Sequence, residues 1–351
     1  MPFLSALVTT VFESLSRRLV EGAVPGLPTG LPCLDDMIGG GWNRQQLSYL
    51  VGDSGVGKSW LATFWMLAAA DWLAGPSGQR PSTGYVLTGG AEDDAVHRAV
   101  LDKETKPPII VFWSLEMAES PVVIRLLAQV AAGGVGHSID SGCLMRGNLG
   151  APRGTPEWTQ RQHEFVALYD LLRTHYGKHI FLEFEARSIA EMRGVLDDLA
   201  VAHDICLLVV DYFRLIDEVA TDGNMTTVQA ERSKKLRDIA KEYDCHVLSI
   251  FDINREGQKA GQPQTYHMRG GVAAHYDADL VLTLAIAEDE KKNPPANRNL
   301  RHLVFQVAKG RFVAQSTLDL QIDLSTGQVE QWDVRGGTSH TVVGIGTERE
   351  E

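Results

Sequence analysis

Residues 47–60 read Leu47-Ser48-Tyr49-Leu50-Val51-Gly52-Asp53-Ser54-Gly55-Val56-Gly57-Lys58-Ser59-Trp60. The apolar run up to Val51 predicts a buried strand, and the pattern from Lys58 onward predicts a helix directly after it. Between them, Gly52 to Ser59 satisfies G-x-x-x-x-G-K-[ST] at every specified position. Glycines let the backbone curl until its N–H groups face an anion, and the departing helix turns its positive end to the same point. Lys58 then reaches the β and γ phosphates, and the Ser59 hydroxyl ligates Mg2+. Gly52, Asp53, Ser54, Gly55, Val56, Gly57, Lys58, Ser59 and Trp60 therefore form the expected nucleotide-binding segment, with ATP and Mg2+ as its ligands.

The same alternation extends in both directions. Ile109–Leu115, Cys206–Val210 and His246–Phe251 are continuous apolar runs, each followed or preceded by a helical pattern. Ser188-Ile189-Ala190-Glu191 has the form of a capping box that opens one of these helices. Such runs predict a parallel sheet buried on both faces, so the fold class is α/β, a mostly parallel twisted sheet with helices on both faces. Ala278–Ala285 and Leu303–Val307 are expected as the last strands, at an antiparallel edge. The domain is expected over 24–335, with an irregular insertion at about 75–108, a glycine-rich loop over 133–154 and a disordered tail over 336–351. Leu4, Val8, Val11, Phe12, Leu15 and Leu19 place an amphipathic helix within residues 1–23. Its apolar stripe suits packing on its own domain or docking on a neighbouring subunit.

The 351 residues include 44% hydrophobic and 22% charged side chains, enough for a large core and unlike a disordered chain. The formal charge of −12 excludes a protein that coats nucleic acid or anionic membrane with its whole surface. Cys33, Cys143, Cys206 and Cys245 show no zinc-site spacing and read as reduced thiols of a cytoplasmic chain. The N-terminus lacks a signal-peptide pattern, and the apolar run Trp60–Leu73 is too short and carries Asp71, so no membrane span is expected.

A phosphate loop needs an acidic partner for its metal on a neighbouring strand. Asp211, after Cys206-Leu207-Leu208-Val209-Val210, ends a buried strand and fits that role. A base for the attacking water has two candidates, Glu116 at the end of the strand through Leu115 and Glu92 in the insertion. Strand ends are where ligands bind in such sheets, which favours Glu116.

Taken together, several segments resemble the RecA-like ATPase domain of DnaB-type replicative helicases. They are Pro28-Thr29-Gly30, the phosphate loop, Ser114-Leu115-Glu116-Met117, Asp211-Tyr212-Phe213-Arg214-Leu215-Ile216, Arg269-Gly270-Gly271, Asp277-Ala278-Asp279 and Lys309-Gly310-Arg311. The resemblance implies a RecA-like P-loop NTPase in which Glu116 is the catalytic carboxylate and Lys309 and Arg311 reach into a neighbour's nucleotide site as fingers. It implies a homo-hexamer, as a ring or an open helix, an ATP-driven helicase moving 5′ to 3′ on single-stranded DNA in replication, and a primase or loader as partner. The first helix resembles the linker helix that docks on the adjacent subunit. Arg255, Lys259, Arg269, Gly270 and Gly271, in a locally basic stretch, match the loop that holds DNA phosphates.

There are departures. Asp252 stands where the family has a glutamine or histidine that senses the γ-phosphate, and a carboxylate there repels phosphate unless it is neutralised. The resemblance covers no counterpart of the family's N-terminal collar, so recruitment of primase through a collar does not follow from it. Two other classes share a phosphate loop and basic fingers. One is a switch or recombination mediator of the RadA or KaiC type, the other a nucleotide-dependent assembly protein with weak hydrolysis. The RadA type adds a CxxC zinc site and the KaiC type a second ATPase copy, and neither pattern is present.

Overall fold

The structure, a computed structural model, describes residues 26–75, 106–135, 139–217, 225–253, 276–292, 295–311, 313–332 and 339–340. The expected N-terminal helix and nearly all of the 75–108 insertion, with Glu92, lie outside the described residues. So do residues 254–275, which carry Arg255, Lys259, Arg269, Gly270 and Gly271.

A short helix α1 (Pro32–Ile38) leads to strand β1 (Leu47–Gly52), and helix α2 (Lys58–Ala74) leaves the phosphate loop. There follow β2 (Pro108–Ser114), α3 (Glu119–Val130), α4 (Ser141–Met145), α5 (Pro156–Thr174), β3 (Ile180–Glu183), α6 (Ile189–Ala202) and β4 (Asp204–Asp211). Then come α7 (Met225–Glu242), β5 (His246–Asp252), β6 (Leu280–Ile286), α8 (Glu288–Lys292), β7 (Leu300–Gly310), β8 (Ser316–Asp323), β9 (Val329–Trp332) and β10 (Ser339–His340). All ten strands share one sheet, in the order β10-β9-β8-β7-β6-β1-β5-β4-β2-β3.

The six strands from β6 to β3 are parallel, and β7 to β10 extend the sheet antiparallel. Alternate residues of one strand feed two cores: Leu50 and Phe112 belong to the one, Tyr49, Val51 and Trp113 to the other. This is the two-faced burial that continuous apolar strands require. Ser188 caps α6 in a complete capping box, as its spacing predicts.

One strand expectation and one loop expectation are corrected. Residues 280–286 are not at an antiparallel edge; β6 lies inside the sheet, parallel to β1, with every residue but Ile286 buried. Its apolar run on both faces is the pattern of an interior strand, and only β7 begins the antiparallel part. The stretch expected as a glycine-rich loop begins with a π-helical turn at Ala131–Val135 and holds α4, whose first turn is capped by the Asp140 carboxylate accepting from the Cys143 N–H. In the expected tail, Ser339–His340 pair antiparallel to β9.

Helix α2 is apolar all round and buried on nearly every side, because it is sandwiched between the sheet and the helices around it. The membrane-like run Trp60–Leu73 is this core helix, and among the described residues no helix is long and apolar enough to cross a membrane. At its start Gly57 has φ +109°, a conformation that disfavours any side chain. At the end of β1, a Cβ on Gly52 would come within 2.8 Å of the Leu284 carbonyl of β6, so the loop can begin only from a glycine.

Candidate functional site

The sheet order sets four candidate site residues in a row along the C-terminal ends of its parallel strands. Gly52 ends β1, Asp252 stands opposite it on β5, Asp211 ends β4, and Glu116 follows β2, whose Ser114 is in register with Asp211. Asp252, Asp211 and Glu116 line a cleft of about 410 Å3 together with Gly55, Gly57, Lys58, Ser59 and Trp60 of the loop and its helix. This is the crevice in which open α/β sheets hold ligands.

Lys58 is buried, 7% exposed, and its ammonium donates to the carbonyls of Gly52 (2.9 Å) and Asp53 (2.8 Å) and to Asp252 Oδ1 (3.0 Å). The Asp252 carboxylate is thus neutralised by the phosphate-loop lysine, a partner that sequence reasoning did not consider. Asp211 is 1% exposed, and neither of its carboxylate oxygens closes a hydrogen bond. Burial pushes its pKa up to about 6, opposed by the nearby Ser59 hydroxyl and by Arg125. The Ser59 hydroxyl lies close enough to the carboxylate to favour its charged form. A buried acid with both oxygens vacant, next to a hydroxyl, is a donor set that fits a hard divalent cation. Glu116 is exposed at the mouth of the cleft.

Arg125, on α3, is a residue that sequence reasoning missed. Its guanidinium lies 4.9 Å over the Trp60 ring, and its Nη1 is buried with no hydrogen-bond partner. Burial lowers its pKa, against the opposing charges of Asp211 and Glu116. One turn further along α3, Gln129 donates to the Trp60 carbonyl (2.8 Å), so α3 holds the start of α2 through Trp60. The only sequence signal was a lone cation in the apolar run Val122–Val130.

Lys309 and Arg311 are not in this cleft. Because β7 runs antiparallel to β6, its end lies where the parallel strands begin: Gly310 pairs with Leu280, and Leu280 with Ser48. Arg311 Nε contacts Asp279 Oδ1 (2.9 Å), and Lys309 Nζ donates to the Ala278 carbonyl (2.9 Å). Asp279, 7% exposed, also accepts the Leu47 N–H through Oδ2 (3.0 Å) and faces Arg237 at 3.5 Å. It is a second residue whose role the sequence did not disclose. From Leu47 to the loop at Gly52 is roughly 16 Å at the rise of a strand. The two cations therefore stand at the opposite edge of the sheet from their own chain's cleft.

The family described as DnaB-like helicase C terminal domain matches residues 26–331, which contain both the cleft and the basic pair. The chain belongs to this family. A replicative DNA helicase DnaB of Rhodothermus marinus is 26% identical over 292 residues, 81% of this chain and 24% of that protein. One from Rickettsia bellii is 26% identical over 190 residues, covering 53% of this chain and 35% of its own length. The chain thus spans about a third or less of the DnaB proteins that it matches. Among solved structures, the ATPase domain of G40P aligns over 94% of this chain and 98% of its own at a TM-score of 0.68 and 16% identity. A DnaB-like replicative helicase, described with its interactions with primase, aligns over 93% and 67% at the same TM-score and identity. A KaiC-like protein of Pyrococcus horikoshii reaches 0.50 at 15% identity. At these identities the structures speak for the fold, a DnaB-like ATPase fold built on a mixed sheet.

Proposed function

We propose that this chain is the motor domain of a hexameric, ATP-hydrolysing DNA helicase that moves on single-stranded DNA in replication. The observation that carries the reading is the division of the catalytic set between two edges of the sheet. The cleft offers a phosphate loop, a candidate metal-binding acid and a candidate base, while Lys309 and Arg311 lie at the other edge, away from their own chain's cleft, which supports a role at a neighbouring copy's nucleotide.

In this mechanism the loop N–H groups and Lys58 hold the phosphates, and Ser59 with Asp211 would hold Mg2+, which would supply positive charge to offset that of the phosphates. Glu116 accepts the proton of the water that attacks the terminal phosphorus, and its exposure at the mouth of the cleft leaves room for that water. Arg125, braced on Trp60, keeps a positive charge near both Asp211 and Glu116. Lys309 and Arg311 of the next subunit offset charge building on the γ-phosphate. The basic stretch with Arg255, Lys259, Arg269, Gly270 and Gly271 follows Asp252 directly in sequence, which supports a link between the nucleotide and DNA held in a central channel. A polarity of 5′ to 3′, and primase or a loader as partner, follow by analogy with the helicases that it resembles. The match to a helicase family disfavours the RadA-type and KaiC-type switch.

The test is the steady-state rate of ATP hydrolysis with and without single-stranded DNA. Strong stimulation that is lost in Lys58→Ala supports the motor; turnover indifferent to DNA refutes it. A nucleotide-dependent assembly protein with weak hydrolysis is the second reading, favoured by the Lys58–Asp252 pair, and it predicts ring formation with negligible turnover in either condition.

The metal site makes a prediction with a definite sign. Because the folded-state pKa of Asp211 is raised from its ordinary 3.8 to about 6, its contribution to stability is fully present below pH 3.8 and lost as pH rises through 6. Deprotonating Asp211 therefore costs the nucleotide-free fold stability as pH rises through about 6, a cost that Mg2+ held there would relieve. Added Mg2+ should raise the melting temperature more at pH 7.5 than at pH 5.5, and Asp211→Asn should abolish the difference. An equal shift at both pH values would remove Asp211 from the metal site.

A further inference from the structure

A lysine ammonium has three hydrogens, and in Lys58 all three are engaged: two by carbonyls of the loop itself, one by Asp252. A phosphate oxygen can bind Lys58 only by displacing one of these acceptors. The two carbonyls belong to the segment that curls around the phosphates, whereas Asp252 belongs to the adjacent strand, in register with Gly52. The Asp252 carboxylate is also the one anion among the three, so it occupies the lysine as a phosphate would. Its side chain is 27% exposed against 8% for Lys58, so the pair faces the cleft at its carboxylate end and is partly screened from water. Displacing it leaves a carboxylate beside the incoming phosphates, a like-charge contact that grows with phosphate charge.

We propose that Asp252 is an internal competitor for the substrate phosphate that sets nucleotide affinity and penalises the triphosphate more than the diphosphate. The proposal rests on the reading of Lys58 as the nucleotide lysine. The carboxylate thereby acquires a positive role, since the pair holds Lys58 in place without ligand and keeps the cleft from being filled at low nucleotide concentration. Nucleotide exchange is then driven from within the subunit, because Asp252 retakes Lys58 whenever a phosphate withdraws.

The experiment measures binding of a fluorescent ADP and a fluorescent non-hydrolysable ATP analogue, with Mg2+, to the full chain and to Asp252→Asn, Asp252→Gln and Asp252→Glu. Both neutral variants should bind the diphosphate about tenfold tighter and the triphosphate analogue by a larger factor, while Asp252→Glu stays near the parent. Without nucleotide the neutral variants should melt earlier than the parent, since Lys58 has lost its counter-charge, and with saturating nucleotide that order should reverse. Neutral variants that bind neither nucleotide more tightly overturn the competition, and an equal gain for both overturns the discrimination. Lys58→Ala separates this from failure of the underlying reading. If Lys58→Ala binds both nucleotides as the parent does, the cleft is not the nucleotide site, whereas loss of binding there with no gain in the neutral variants sinks only the role of Asp252.

Discussion

Arg311→Ala is expected to lower ATP turnover of the assembled protein by about 10³-fold or more, the range that arginine fingers contribute to phosphoryl transfer, while nucleotide binding to each subunit changes little. The reason is positional. Arg311 stands at the start of the parallel strands, held by Asp279, and its own chain's cleft lies at their far end. Mixing provides the decisive measurement. Lys58→Ala subunits keep a finger but lose their cleft, and Arg311→Ala subunits keep a cleft but lose the finger. Mixed assemblies should regain part of the turnover that each variant lacks alone, and two inactive variants that stay inactive together would show that Arg311 does not serve a neighbour. The contact with Asp279 is partly exposed, at 38% for Arg311, so its loss should cost the fold at most about 1 kcal/mol. Melting temperature should therefore separate a stability effect from a catalytic one.

Glu116→Gln should reduce turnover by about 10²- to 10⁴-fold, the usual contribution of a positioned base, with nucleotide affinity close to that of the parent. Glutamine keeps the size and the hydrogen-bonding capacity of the side chain and removes only its ability to take a proton. Single-turnover hydrolysis with prebound ATP isolates that step from binding and release. Glu92→Gln is the counter-experiment: a Glu92→Gln protein without activity beside an active Glu116→Gln would transfer the base to the insertion.

Much of this arrangement is legible in the sequence, and for a physical reason. Buried parallel strands are apolar on both faces, so Leu47–Val51 and Cys206–Val210 stand out, and the polar residue that ends each run marks where the chain emerges at the ligand edge. Asp211 and Glu116 follow from that rule, and Gly52 from the phosphate-loop pattern that begins where the first run ends. Position across the sheet is less accessible, since strand order depends on crossovers. β6 is misplaced at an edge by sequence although its composition is that of an interior strand, and β3, four residues long, is too short to register. Arg125 and Asp279 escape for another reason. Their partners Trp60 and Arg311 are 65 and 32 residues distant in sequence, and nothing local to a helix face or a strand entry announces such contacts. Asp252 is recognisably out of place, but the sequence does not say that Lys58 is its partner.

Helix α2 carries one more consequence. Thirteen of its seventeen residues are buried, and its apolar surface runs all the way round. A close-packed element of this kind has no alternative seating that keeps its contacts. The phosphate loop at its first turn is therefore seated on an anvil: in the proposed motor it would receive the load of ATP binding and hydrolysis without giving way. Recoil would then be taken by parts that are less confined, the strand ends bordering the cleft and, in the proposed hexamer, the seam between subunits, so that chemical energy would leave as motion at the margins rather than as deformation of the heart.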